Sequence, residues 1–191
     1  MKQDTFIYQS KVSTKICKDI LKYYHDNQDK VLEGIVGMGI DKDVKESKDI
    51  SIQPDFNDYP FNEYKNQLQK CIDKYRKKYP ELDSLLQRWA ITEAYNIQCY
   101  KPGGGFKKIH CERGCVHSSP RVLVFMTYLN TVKDAGTSWP KQKFTSDCVI
   151  GSTLIWPTDW THSHVGIINK KKKKCVITGW YGFNGEGNCC Q

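Results

Sequence analysis

The chain has 191 residues, of which 39% are hydrophobic and 26% charged, and its formal net charge is +8. That length suits one domain with a full core, and the balance excludes a disordered chain. No apolar run approaches the roughly 20 residues that cross a bilayer, and the polar start Met1-Lys2-Gln3-Asp4-Thr5 lacks the apolar core of a signal peptide. A cytoplasmic protein without membrane partners is therefore expected.

Residues 14–30 read as an amphipathic helix. Ser13 or Thr14 can cap it, and Ile16, Cys17, Ile20, Leu21 and Tyr24 recur at helical spacing. His25 falls on its surface. Residues 42–48 read as a charged turn, and residues 49–53 as a short strand before Pro54. The clearest helix covers 61–79. Tyr64, Leu68, Cys71, Ile72, Tyr75 and Tyr79 form its apolar stripe, and Pro80 ends it. A helical turn over 81–87 follows. These helices carry no chemistry and are expected to back a sheet.

From Trp89 onward, strand signals replace helix signals and turn residues come at short intervals. Strands are expected over 93–100, 106–112, 121–129, 136–140, 145–149, 152–156, 162–168 and 174–181. Residues 102–105 form a Gly-rich turn, and 113–119 a loop. Helices followed by strands argue for an α+β, mainly β, arrangement.

Nine cysteines are many for an intracellular chain. Without a secretory signal, most are expected to be reduced, buried small hydrophobes. Cys189 and Cys190 read as a frayed end. The lysine run 170–174 and the basic stretch 74–78 supply much of the positive charge. A basic balance can mark an acidic partner such as nucleic acid, although a lysine run at a turn is ordinarily solvated.

His110-Cys111-Glu112 holds the chemistry. On a strand, residues two apart share a face, so His110 and Glu112 can act together while Cys111 points away. Two such groups and a distal histidine make the 2-His-1-carboxylate triad of non-haem Fe(II) enzymes. The pair alone is an ordinary polar pattern. His162 and His164 are the candidates for the third ligand. Further on, Lys174, Val176, Thr178 and Trp180 share one strand face. If that face lines a barrel, Lys174 is a buried cation that needs an anion.

The ordered set Asn96-Ile97-Gln98-Cys99-Tyr100, His110-x-Glu112, Met126-Thr127-Tyr128-Leu129-Asn130, Gly136-Thr137, Leu154-Ile155-Trp156-Pro157, His164 and Lys174-x-x-x-Thr178-Gly179-Trp180 resembles the 2-oxoglutarate- and Fe(II)-dependent oxygenases. The nearest branch is prolyl 4-hydroxylase-like, of the phage and viral type. The resemblance covers residues 89–183.

It implies a double-stranded β-helix, or jelly roll, backed by N-terminal helices. The expected organisation is one oxygenase domain over 1–191, with a helical support region (1–88), the jelly-roll core (89–183) and a C-terminal tail (184–191). If the source is viral, the compartment is the host-cell cytoplasm. His110, Glu112 and His164 fall at the metal positions. His164 is preferred over His162 because Gly166 follows two residues on and Lys174 ten residues on, as in the family. Lys174 falls where the family pairs a cation with the distal carboxylate of 2-oxoglutarate. Tyr100 and Tyr128 match tyrosines of the cosubstrate pocket, and Thr178 adds a hydroxyl there. His162 and Trp180 are left as neighbours of the ligands or substrate contacts. The implied reaction uses Fe(II), 2-oxoglutarate and O2 to hydroxylate a C–H bond, giving succinate and CO2. A peptidyl proline is the substrate the resemblance suggests. Another protein side chain, a nucleic-acid base or a small molecule stays open.

Glu112 departs from the family's usual aspartate and bears directly on activity. Two rival readings follow from the residues. One is a zinc site drawn from Cys111, Cys115, His117, His162 and His164. The other is a basic module binding nucleic acid or protein on an inactive oxygenase fold.

Overall fold

The computed structural model describes residues 4–37 and 39–185. The chain opens with β1 (Tyr8–Lys11), α1 (Thr14–Asp26), β2 (Leu32–Glu33), β3 (Lys45–Glu46), β4 (Lys48–Ile52) and α2 (Phe61–Lys78). Then come β5 (Trp89–Ala90), β6 (Tyr95–Tyr100), β7 (Gly105–Phe106), β8 (Arg121–Tyr128) and β9 (Thr137–Trp139). The last strands are β10 (Phe144–Thr145), β11 (Ser152–Pro157), β12 (Val165–Gly166) and β13 (Lys174–Phe183).

Both helices form where the apolar spacing predicts. Ser13 caps α1 by accepting from the Ile16 amide at 3.3 Å. Ile16, Cys17, Ile20 and Tyr24 are buried along one side. The helix stops at Asp26 because Asn27 turns back, donating both its main-chain and side-chain N–H to the Tyr23 carbonyl. In α2 the stripe Tyr64, Leu68, Cys71, Ile72 and Tyr75 is buried, and Arg76, Lys77 and Lys78 complement the C-terminal dipole. Pro80 then begins a short 3-10 turn, Pro80–Ser84.

An eight-stranded antiparallel sheet runs β1-β11-β8-β13-β6-β4-β2, with β5 beside β13. A three-stranded sheet runs β10-β9-β12, and β3 pairs with β7. Strand alternation sends one set of side chains to each face of the large sheet. Ile50, Ile97, Phe125, Ile155 and Ile177 pack against α1 and α2. Tyr100, Val124, Met126, Trp156 and Val176 face the other way and meet Trp139 and Phe144 of the small sheet. The large sheet is thus covered by helices on one face and by the small sheet on the other.

Three expectations change. Helices and strands are not segregated: β1, β2 and β4, the last at the strand expected over 49–53, all precede α2 and complete the large sheet. The charged turn over 42–48 is partly internal: Lys45 is buried and paired with Asp49 at 2.7 Å. Cys99 and Cys175, register partners on β6 and β13, form a disulfide. Cys17, Cys71 and Cys148 are free and buried, whereas Cys111 and Cys115 are free and more accessible. Cys189 and Cys190 lie outside the described residues.

Candidate metal centre

β7 ends at Phe106, so the expected strand over 106–112 is only two residues long. Beyond it the chain is held by single contacts. His110 forms an isolated bridge with His164, and the amides of Glu112 and Arg113 both donate to the Thr158 carbonyl at 3.1 Å. His110 and Glu112 nevertheless turn the same way, because the segment is pinned on both sides of Cys111. Cys111 points its Sγ at the Arg113 carbonyl.

His110, Glu112 and His164 bring one donor atom each to within 4.8 Å of one another. Glu112 Oε1 lies 3.4 Å from His110 Nε2 and 3.4 Å from His164 Nε2. Nδ1 of His110 is 2.9 Å from the Lys108 carbonyl, and Nδ1 of His164 is 3.0 Å from the His162 carbonyl. A carbonyl only accepts, so both Nδ1 atoms carry the proton and both Nε2 lone pairs point at the common centre. Phe106 stacks on His110 at 3.5 Å, and Trp156 meets His164 edge-on at 5.1 Å. Burial opposes ionisation of Glu112; when the two histidines also carry a proton on Nε2, their hydrogen bonds and charge outweigh it and hold its carboxyl well below the usual range. Two neutral imidazoles and a carboxylate fit a divalent metal such as Fe(II).

The other carboxylate oxygen is engaged elsewhere. Trp180 Nε1 donates to Glu112 Oε2 at 3.0 Å. The Arg121 guanidinium lies 3.6 Å from the Trp180 ring centre and donates to the Glu112 main-chain carbonyl at 2.9 Å. It also forks onto Glu93 with contacts of 2.7 and 2.6 Å. Glu93 and Arg121 carry no motif, and sequence reading passes them over.

The centre opens into a cavity of about 460 Å³ that Lys174, Tyr100, Asn96, Gln98, Thr178 and Trp180 also line. The lysine run divides as expected: Lys170 to Lys173 are exposed and Lys174 is buried. Lys174 Nζ donates to the carbonyls of Ala135 (3.1 Å) and Ile167 (3.3 Å) and lies 5.4 Å from the Tyr100 ring centre. No carboxylate among the described residues pairs with it, and burial pushes its amine down to about 8. A buried, uncompensated cation beside a cavity fits an anionic ligand.

Other expected site residues are placed differently. The Tyr128 phenol lies behind the cavity wall, within 2.9 Å of Thr137 Oγ1 and 2.8 Å of Ser146 Oγ. Thr178 lines the cavity but donates its hydroxyl to the Phe125 carbonyl at 2.9 Å. Tyr100 donates to Gln98 Oε1 at 2.5 Å. His162 sits in a 3-10 turn, Trp160–His162, not on a strand, and its Nε2 is 3.0 Å from the Thr5 carbonyl. Its contribution to the centre is the main-chain carbonyl under His164. The cysteine-based zinc set is not assembled: among the described residues, only His110, Glu112 and His164 converge as a metal-ligating group.

No family model matches the sequence, and no curated protein does. Solved structures do match. A viral collagen prolyl hydroxylase from Paramecium Bursaria Chlorella virus-1, in its 2OG complex, superposes with a TM-score of 0.69 at 13% identity, over 93% of this chain and 96% of that one. A prolyl-4-hydroxylase from Pseudomonas putida gives 0.67 at 12% identity, over 94% of each chain. A Trichoplax adhaerens prolyl hydroxylase, in complex with a hypoxia inducible factor oxygen degradation domain peptide fragment, gives 0.70 at 13% identity, over 93% and 84%. At this identity the likeness establishes a shared fold.

Proposed function

We propose that this protein is an Fe(II)- and 2-oxoglutarate-dependent dioxygenase that hydroxylates a C–H bond of a peptide substrate, with a prolyl residue as the first candidate. In this reading the chain is one domain, and its two facing sheets form a double-stranded β-helix. The observation that carries the proposal is the convergence of His110, Glu112 and His164 on a cavity that also holds the uncompensated Lys174. The fold shared with prolyl hydroxylases, one in a 2OG complex and one with a bound peptide, supports it.

His110 Nε2, His164 Nε2 and Glu112 Oε1 would hold the iron. Bound Fe(II), with 2-oxoglutarate and O2, supplies an oxidative decarboxylation to succinate and CO2 coupled to hydroxylation. Lys174 would take the distal carboxylate of the cosubstrate, exchanging carbonyl contacts for a charge-assisted pair. Tyr100, stacked under the Lys174 amine, would border that site. Tyr128 supports the wall from behind, and Thr178 contributes shape. Phe106, Trp139, Trp156 and Trp180 lie around the centre and would limit the access of water to it.

The test is succinate formation from 2-oxoglutarate in the presence of Fe(II) and O2, with and without proline-containing peptides. Peptide-stimulated succinate with a mass gain of one oxygen on the peptide is the expected result. A protein that binds Fe(II) and 2-oxoglutarate but is stimulated by no peptide would remove the substrate assignment.

A further inference from the structure

We infer that Trp180 is a positioning residue for the metal centre: its indole N–H holds one oxygen of Glu112 so that the other alone faces the two histidines. The inference rests on the metal reading above and adds a residue to it.

A glutamate reaches its carboxylate through three rotatable bonds and can offer either oxygen, or both, to a metal. Here the choice is made before any metal arrives. Oε2 accepts from Trp180 Nε1 at 3.0 Å, and Oε1 is left 3.4 Å from each histidine Nε2. Trp180 is itself held. Arg121 covers its face at 3.6 Å, and Glu93 fixes Arg121 through two hydrogen bonds. Arg121 also grips the Glu112 main-chain carbonyl at 2.9 Å, so both ends of the residue are tied to one assembly. The assembly depends on an irregularity. Tyr181 faces Leu123 but Gly182 faces Arg121, so Val122 is an extra residue in β8. That bulge turns Arg121 from the helix-covered face, where Leu123 and Phe125 lie, to the cavity.

The experiment is anaerobic titration of the full-length protein with Fe(II), and separately with Co(II) as a spectroscopic probe. Trp180→Phe keeps an aromatic ring at this position and removes the N–H together with part of the indole face under Arg121. It should weaken metal binding roughly 10-fold or more, as losing an outer-shell partner does. It should also change the Co(II) visible spectrum, because the freed oxygen can join the coordination sphere. Glu112→Asp is one methylene shorter and cannot span both the histidines and Trp180. In that background, adding Trp180→Phe should change affinity by less than about twofold. Thermal unfolding of the metal-free variants checks that the fold persists.

If Trp180→Phe does not fold, the 15N-indole signal of Trp180 in the otherwise unchanged protein reads the same contact. It should move upfield and exchange faster in Glu112→Asp. Wild-type protein that binds neither metal overturns the metal reading and this inference together. Wild-type protein that binds metal, with unchanged affinity and spectrum in Trp180→Phe or an unmoved indole signal in Glu112→Asp, overturns this inference alone.

Discussion

His110 and His164 are joined through their main chains: the His110 amide donates to the His164 carbonyl at 3.0 Å, and the His164 amide donates back at 2.8 Å. This bridge sets the two rings 4.4 Å apart, centre to centre, without using either side chain. The fold therefore places the donors, and the donors are not needed to hold the fold.

His110→Ala, His164→Ala or Glu112→Gln should leave the thermal midpoint of the metal-free protein within a few degrees of wild type. Each should weaken Fe(II) binding by more than the roughly 10–100-fold that loss of an outer-shell partner costs. Cys111→Ser and Cys115→Ser should bind Fe(II) as wild type does. Anaerobic equilibrium dialysis measures this, and loss of metal in the cysteine variants would restore the zinc reading.

Lys174 costs the metal-free protein stability. Its amine titrates near 8 in the folded chain against an ordinary 10.5. Between those values the unfolded state binds more protons, so this contribution to stability rises with pH and the penalty is complete below about pH 8. Replacing Lys174 by Met frees the carbonyls of Ala135 and Ile167 but removes the buried charge. Lys174→Met should thus be more stable than wild type at pH 7 by roughly 1–3 kcal/mol, and its advantage should shrink as pH approaches 10.5. Adding 2-oxoglutarate to the metal-loaded protein should raise the midpoint further in wild type and far less in the variant. Urea unfolding across pH checks the first part. A pH-independent loss of stability in Lys174→Met would show that the amine is already compensated.

The Cys99–Cys175 disulfide closes a loop of 76 residues and lies one position from the Tyr100–Lys174 register pair. Chain-entropy arguments give such a loop about 4 kcal/mol, or roughly 10 °C for a chain of this size. A buried disulfide needs opening to be reduced, so Cys99→Ser/Cys175→Ser is the cleaner comparison. Its midpoint should fall by that order, and oxidised wild type should show two fewer free thiols under denaturing conditions than after reduction.

Gly136 has no room for a side chain. A Cβ there would stand 1.7 Å from the Ser146 carbonyl oxygen, which is backbone and cannot swing away. Gly136→Ala should cost roughly 3–5 kcal/mol, because β9 would be pushed from the strand segment it pairs with. Gly114→Ala, with nothing within 4 Å, should stay within about 0.5 kcal/mol of wild type. Denaturant midpoints compare the two.

Much of this was legible from periodicity. The stripe from Tyr64 to Tyr75 and the alternation from Lys174 to Trp180 both rest on local repeats that burial then satisfies. The three residues that converge, His110, Glu112 and His164, could be picked out as an ordered set, although the strand reasoning behind His110-x-Glu112 was not met, since two-sided pinning rather than pleating aligns them. Arg121 was out of reach because a period-two reading assigns it to the wrong face, and only the extra residue at Val122 returns it to the cavity. Tyr128 shows the converse: the right face, but a position behind the wall that Thr137 forms. The Cys99–Cys175 pairing depends on the register of β6 against β13, which spacing alone does not encode.

The most direct measurement is the visible spectrum on anaerobic addition of Fe(II) and 2-oxoglutarate. Chelation of the metal by the cosubstrate, held by His110, Glu112 and His164 and anchored on Lys174, predicts a weak visible charge-transfer band that needs both additions. The band should be absent in His110→Ala and should need far more 2-oxoglutarate in Lys174→Met. No band with the wild-type protein, and no iron retained by it, would contradict the oxygenase assignment.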